Sequence, residues 1–418
     1  MRVLLIHQAF TSPDEPGGTR HYEFARHCIA ARHQFTIVAG DTSYLTGQRI
    51  VAPRRLVSEE DLDGVRMLRA YTYPSLHRSF VWRVVSFISF MFTSIWAGLR
   101  AGPVDLVMGT SPPIFQAVSA WLLAALRRRP FLLEIRDLWP EFAVDIGVLK
   151  NPVLIRLSRW LERFLYARAT HLLVNSPAYR DYLIGKGVPT AKISLIANGV
   201  DPDMFDPNRR GERIRREWGL EGKFVVTYAG ALGLANDLPT VLRAADRLRD
   251  HPYVHFLLVG DGKERAHLES LARQLRLPNV SFTGSRPKSE MPEILAASDA
   301  CIAVLKDIPM FRTTYPNKVF DYMAAGRPTI LAIGGVIREV LEKAGGGICV
   351  PPGDDAALAV AVQHLSQNRR LAEEMGAVAH RYVIDHFNRH KQAAQFMELI
   401  RHIAGNGRSR LRTSICRK

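Results

Sequence analysis

The run Pro316-Asn317-Lys318-Val319-Phe320-Asp321-Tyr322-Met323-Ala324-Ala325-Gly326-Arg327-Pro328 places a lysine and an acid in the first turns of a predicted helix. Loop chemistry opens the segment, small residues line one side, and Gly326-Arg327-Pro328 stops it. The apolar run 329–333 that follows reads as a buried strand. A helix start offers backbone N–H groups without intrahelical partners. With Lys318 beside them they suit phosphate, and Asp321 suits hydroxyls. Together these groups fit a phosphorylated sugar nucleotide. An αβ corner of any α/β enzyme has the same outline, so on the segment alone both readings stand.

Glycines mark further loops. Gly17-Gly18 stands after the first predicted strand and before a predicted helix, where paired glycines let backbone approach an anion. The spacing is not the dinucleotide fingerprint G-x-G-x-x-G. Gly230 and Gly233, then Gly260 and Gly262, then Gly284 follow three successive strands of the second half. Loops after strands commonly carry glycine, but repetition along one sheet edge favours a ligand-binding edge.

The elements that position these residues alternate. Strands are predicted at 3–7, 35–39, 104–108, 131–135, 172–175 and 193–197. A second series follows at 224–228, 254–259, 280–282, 301–305, 329–333 and 347–350. Helical stretches separate most of them, so two parallel, doubly wound α/β sheets are expected. The Pro-, Gly- and acid-rich run 198–207 reads as a linker between domains 1–200 and 201–387. A final helix at about 388–404 is expected to return to the first domain, with Gly405-Asn406-Gly407 ending it and a disordered basic tail at 405–418. Two such sheets are expected to face a cleft with their strand carboxyl ends.

Composition narrows the classes. The chain has 418 residues, 47% hydrophobic and 23% charged, which suits two domains. Cys28, Cys301, Cys349 and Cys416 lack paired spacing and read as free thiols in a reducing compartment, with no metal site. The N-terminus, Met1 to His7, reads as a strand rather than a signal peptide. A net charge of +16 attracts polyanions. No zinc-finger, homeodomain or RNA-recognition pattern accompanies it, so nucleic acid is not expected as a partner.

These motifs resemble a family-4 glycosyltransferase with the GT-B fold of two Rossmann-like domains. The resemblance rests on Pro16-Gly17-Gly18-Thr19, Asn198-Gly199-Val200-Asp201, Val259-Gly260-Asp261-Gly262 and the run 317–328. Arg136-Asp137-Leu138-Trp139-Pro140-Glu141 and the apolar segment near Val84 are similar to a branch of bacterial polysaccharide or O-antigen assembly, near fucosamine-type transferases. The resemblance implies retaining transfer from a UDP-sugar, with an N-acetylated sugar as one option, and no cofactor or obligatory metal. It implies that amides around Tyr315, Asn317 and Lys318, with the Lys318 ammonium, face the diphosphate. It assigns Asp321 to the ribose and Arg286 to the border of the nucleobase, and closes Gly17 and Gly18 over the phosphates. Gly230, Gly260 and Gly262 complete the donor loops.

The sequence departs from the family at defined positions. The family's Glu-x7-Glu pattern reads Thr313 and Asp321 here. A family Arg and Lys correspond to Ala231 and Asn236, which leaves Lys318, Arg312 and Lys263 to meet diphosphate charge. Arg136 stands where many relatives carry His before the Asp.

Lys318 is expected to stabilise the leaving diphosphate electrostatically. Its alternative is a solvated lysine at a helix start. Asp321 is a ribose acceptor or an ordinary first-turn acid. Asp137 and Glu141, with Arg136 and His7, are placed toward the acceptor. Helix capping and a structural histidine are their alternatives. Lys318, Asp321 and Asp137 form the expected catalytic set.

The apolar stretch 84–99 lies between Arg83 and Arg100 and reads first as a buried helix, second as an interfacial one. The stretch 155–168 is basic and amphipathic, with Arg156, Arg159 and Arg163 on one face. Together they favour a cytoplasmic enzyme peripheral to the inner face of the membrane, with a polyprenyl-linked or saccharide acceptor. A sugar-nucleotide epimerase of the same fold remains open. So does a non-catalytic scaffold, which Thr313, Ala231 and Asn236 favour.

Overall fold

A computed structural model describes residues 1–43, 47–50, 55–74 and 80–415. The chain divides into two units. Residues 1–11, 19–197 and 390–418 form the first, and 12–18 with 198–389 form the second. The short piece 12–18 was expected in the first. It groups with the second because Lys288 and Ser289 donate their backbone N–H groups to the carbonyls of Glu15 and Pro13.

The first unit has eight strands: β1 (Arg2–Ile6), β2 (Gln34–Gly40), β3 (Val57–Leu62), β4 (Val65–Ala70), β5 (Leu106–Ser111), β6 (Phe131–Ile135), β7 (His171–Val174) and β8 (Ile193–Leu195). Their order is β3-β4-β2-β1-β5-β6-β7-β8, parallel except for β3 against β4. The central strands are apolar runs such as Val3-Leu4-Leu5-Ile6, buried on both faces as a parallel sheet requires. Phe24, from helix Arg20–Ala30, stacks on Phe396 of the last helix at 4.7 Å in the core on one face.

The second unit has six strands: β9 (Phe224–Ala229), β10 (Val254–Val259), β11 (Val280–Gly284), β12 (Ala300–Val304), β13 (Thr329–Ala332) and β14 (Gly347–Cys349). They run parallel in the order β11-β10-β9-β12-β13-β14. Both units are therefore Rossmann-like α/β sheets, and all twelve predicted strands are present.

Three features differ from expectation. The hairpin β3–β4 was missed because β3 carries three consecutive acids, Glu59-Glu60-Asp61, and no apolar period; Glu59 pairs with Arg66 and Glu60 with Arg69 across the strands. The Asp63-Gly64 turn was the available signal. The last helix runs Arg389–Ile415, through Gly405 and Gly407, because a glycine ends a helix by turning left-handed and these two do not. Helix Phe80–Arg100 is not a buried helix: only 28% of its apolar window is buried. Cys28 and Cys301 are buried free thiols and Cys349 is half-buried, while Cys416 lies outside the described residues.

Candidate active site

In the second unit the strand order reverses at β9, which pairs with both β10 and β12. Ligands in such sheets bind beyond the strand carboxyl ends at this switch. Helix Asn317–Ala324 is tied to that point. The Tyr322 hydroxyl accepts from the Ala229 N–H at 2.8 Å and donates to the Ala229 carbonyl at 3.1 Å. Lys318, one turn earlier, is thereby carried over the end of β9.

Lys318 Nζ donates to the Tyr228 hydroxyl at 2.7 Å and to Asn236 Oδ1 at 3.3 Å. Tyr228 donates in turn to the Ala231 carbonyl at 2.8 Å, which also accepts from Asn236 Nδ2 at 3.0 Å. The four groups close a ring around the ammonium. Among the described residues no carboxylate pairs with Lys318. Burial pushes its amine down to about 7. No side chain caps the helix; the Val319 N–H donates to the Pro316 carbonyl at 3.1 Å, and among the described residues the Asn317 and Lys318 amides are left for a ligand. An oxyanion arriving here would meet a cation and aligned N–H groups, and would hold the lysine protonated.

The glycines fall into two kinds. A Cβ on Gly230 would lie 2.9 Å from Lys318 Nζ, so glycine keeps the lysine's path open. A Cβ on Gly260 would fall 1.9 Å from the Gly230 carbonyl oxygen, and one on Gly262 would fall 2.4 Å from that of Leu232. These last two glycines let the loop after β10 lie against the loop after β9. That backbone contact by itself requires glycine at 260 and 262.

Asp321 has a partner the sequence reading missed. Lys288 Nζ sits 2.5 Å from Asp321 Oδ2, with only 9% and 17% of the two side chains exposed. The Lys288 ammonium also lies 5.3 Å from the ring centre of Phe205. Gly18 stands against Asn317: a Cβ there would lie 2.9 Å from Asn317 Nδ2. Gly17, at a positive φ of 135°, precedes it in the piece 12–18. The Tyr315 carbonyl accepts from Asn198 Nδ2 at 2.7 Å, and burial pushes the Tyr315 phenol up to about 12.

Other expected donor residues are engaged elsewhere. Arg312 is exposed and pairs with Asp307 at 3.0 Å. The Thr313 hydroxyl donates to the Met310 carbonyl at 2.6 Å and closes its own 3-10 turn. Arg286 places its guanidinium 5.4 Å from the ring centre of Trp218 and 3.6 Å from Glu290.

In the first unit the order reverses at β1, between β2 and β5. His7 and Arg136 follow β1 and β6 directly. Arg136 Nη1 lies 2.8 Å from His7 Nε2. A guanidinium only donates, so Nε2 accepts and the imidazole proton sits on Nδ1. Burial, with His21 and Arg136 nearby, holds His7 well below its ordinary pKa. Behind them Glu134 is fully buried. Its Oε1 accepts from Arg20 Nε at 2.9 Å and its Oε2 meets His21. Arg20 also donates to the carbonyls of Ile196 and Ala197 at 2.7 Å. Asp137 is pushed up to about 6 by burial, against the opposing effects of Arg136 and a hydrogen bond from Tyr179. Glu141, expected toward the acceptor, has basic partners within its own unit. Arg159 clasps both of its oxygens at 2.8 and 2.9 Å, and Lys186 adds a contact at 3.8 Å.

Comparison with known proteins is consistent with this architecture. Residues 223–368 match the model of "Glycosyl transferases group 1", and residues 17–199 match a "Glycosyl transferase 4-like domain". The two matches together take in most of the chain. It is a member of this glycosyltransferase family.

The glycosyltransferase is 30% identical to a GDP-mannose-dependent alpha-mannosyltransferase of Mycobacterium tuberculosis over 55% of this chain, and the match spans only 56% of that relative's length. It is 25% identical to the putative colanic acid biosynthesis glycosyl transferase WcaI of Escherichia coli, over 76% of this chain and 78% of WcaI. Its fold superposes on Anabaena Alr3699/HepE in complex with UDP-glucose with a TM-score of 0.71. That superposition covers 96% of this chain and 100% of the other, at 16% identity.

Within the glycosyltransferase, the two positions that depart from the family's basic pair are not idle. Ala231 supplies the carbonyl, and Asn236 the amide, that close the ring around Lys318. The sequence reading missed Tyr228, Lys288, Arg20, His21 and Glu134. One of these carried a signal. Glu134 is a lone acid inside the apolar strand Phe131-Leu132-Leu133-Glu134-Ile135, and a buried charge demands partners.

Proposed function

We propose that this glycosyltransferase moves a sugar from a UDP-sugar, N-acetylated in one option, to a lipid-linked or saccharide acceptor in bacterial cell-surface polysaccharide synthesis, with retention of configuration. The observation that carries the reading is the Lys318 ammonium, ringed by Tyr228, Ala231 and Asn236 at an uncapped helix start. As the sugar–phosphate bond breaks, negative charge grows on the diphosphate, and this cluster meets it. Lys318 acts on the leaving group, and Asp321 with Lys288 addresses the ribose. We assign Asp137, its carboxyl raised to about 6 by burial, to accept a hydrogen bond or a proton from an acceptor hydroxyl. No step needs a metal or cofactor. A UDP-glucose complex of a structural neighbour supports UDP, while a GDP-mannose-dependent relative makes GDP the competing base. Thermal shift with UDP, GDP and a panel of their sugar conjugates tests this. UDP compounds should raise the melting temperature more than GDP compounds, and Lys318→Ala should remove the effect. A larger shift with GDP would replace the base, and no shift with any nucleotide would end the proposal.

The membrane reading rests on helix Phe80–Arg100, which exposes Trp82, Phe92 and Trp96, 63% of Phe92 included. Helix Pro152–Arg168 exposes Leu154, Leu157 and Trp160 together with Arg156 and Arg163. Helix Ile114–Leu126 packs against both. Aromatic and basic side chains on neighbouring helices suit an anionic interface at the cytoplasmic face. Sedimentation with vesicles of phosphatidylglycerol and phosphatidylcholine should carry the protein down, and Phe92→Ser with Trp96→Ser should release it. Equal binding to vesicles of phosphatidylcholine alone would remove the electrostatic part.

A further inference from the structure

The first unit contains a cation, Arg136, that makes no ion pair among the described residues, although Glu134 and Asp137 lie close enough to feel its charge. Arg136 leaves β6 beside two acidic residues. Glu134 is already occupied by Arg20 and His21. Asp137 makes no ion pair with Arg136 among the described residues, and its carboxyl is held toward the protonated range. The one hydrogen bond to the Arg136 guanidinium among the described residues runs from Nη1 to His7 Nε2 at 2.8 Å.

His7 is 2% exposed and neutral, so it can only brace the guanidinium through Nε2. Its Nδ1, buried and carrying the proton, has no hydrogen-bond partner among the described residues. Protonating His7 would set a second cation against Arg136. The imidazole therefore fixes one arm of the fork and, among the described residues, leaves the remaining N–H donors unspent. A half-buried guanidinium in that condition gains most from an oxyanion, and both carboxylate and phosphate match its planar fork.

We propose that Arg136, braced by His7, binds a carboxylate or phosphate carried by the saccharide substrate and so selects an acidic sugar. The inference rests on the glycosyltransferase reading only in naming a saccharide. Its test measures binding, not transfer, so the two fail separately. Transfer without any preference for acidic sugars would end this inference and leave the proposed function standing.

The probes are methyl glucuronide, glucose 6-phosphate and the neutral methyl glucoside, with dissociation constants measured by saturation-transfer NMR on the full chain. At least one acidic sugar should bind roughly tenfold more tightly than the glucoside, the scale expected of a charge-assisted bidentate contact. The glucuronide arm identifies a carboxylate and the glucose 6-phosphate arm a phosphate; either supports the proposal. Arg136→Gln should erase the preference, and Lys318→Ala should keep it. Arg136→Lys, which holds charge without the fork, should bind with intermediate affinity and carries the test if the glutamine variant fails to fold. No preference in the unaltered protein, an undiminished preference in Arg136→Gln or Arg136→Lys, or its loss in Lys318→Ala would each overturn the proposal.

Discussion

Lys318 Nζ lies 2.7 Å from the Tyr228 hydroxyl and 4.0 Å from the centre of the same ring. One aromatic residue thus offers the ammonium both an oxygen lone pair and a π face, with no carboxylate that would compete with an incoming anion. Tyr228→Phe keeps the face and removes the oxygen. UDP affinity should fall about fivefold, roughly the 1 kcal/mol net worth of one hydrogen bond, with little loss of melting temperature. Calorimetry gives the answer, and unchanged affinity would make the ring incidental.

The depressed amine also predicts a proton balance. Lys318 titrates near 7 when folded, against an ordinary 10.5. Between these values the unfolded chain binds the extra proton, so this group makes the free protein more stable as pH rises from about 7 to about 10. A bound diphosphate restores the higher pKa. At pH 8, binding of UDP should take up a proton, visible as a dependence of calorimetric heat on buffer ionisation enthalpy. Lys318→Met should abolish that dependence.

Lys288 and Asp321 form a mostly buried pair at 2.5 Å. Removing one member leaves the other charge stranded, at a cost of about 3 kcal/mol, whereas removing both costs less. Denaturant unfolding of Lys288→Met, Asp321→Asn and the double variant should show this coupling. Additive losses would mean that the pair contributes nothing jointly.

Asp137 carries the opposite sign. Its carboxyl is raised to about 6 from 3.8, so the folded state holds the extra proton between those values and stability falls as pH rises through that window. At pH 7.5 the charged form is disfavoured, and Asp137→Asn should raise the melting temperature. If Asp137 handles an acceptor proton, the same variant should lower turnover and remove an acidic limb near pH 6 from the rate profile.

The local chemistry of the chain was enough to specify both parallel sheets. Runs such as Val3-Leu4-Leu5-Ile6 and Phe256-Leu257-Leu258-Val259 are apolar on both faces, which only a covered parallel strand accommodates. It was also enough to mark Lys318, because a lysine at an uncapped helix start is unfavourable without an anion. The charged hairpin β3–β4 escaped, since its stabilising pairs lie across strands and follow no apolar period.

Pairings between distant positions were settled only by the folded chain. Glu141 was legible as an acid near an acceptor, yet Arg159 takes both of its oxygens. Asp321 was legible as a first-turn acid, but Lys288, thirty-three positions away, is what it meets. Sequence by itself determines backbone preference and burial, because these depend on neighbours a few residues off. Which charge is neutralised and which is left open for a ligand depends on contacts across the fold, and that is why the partners of Asp321 and Glu141, and the bracing of Arg136 by His7, emerge only in three dimensions.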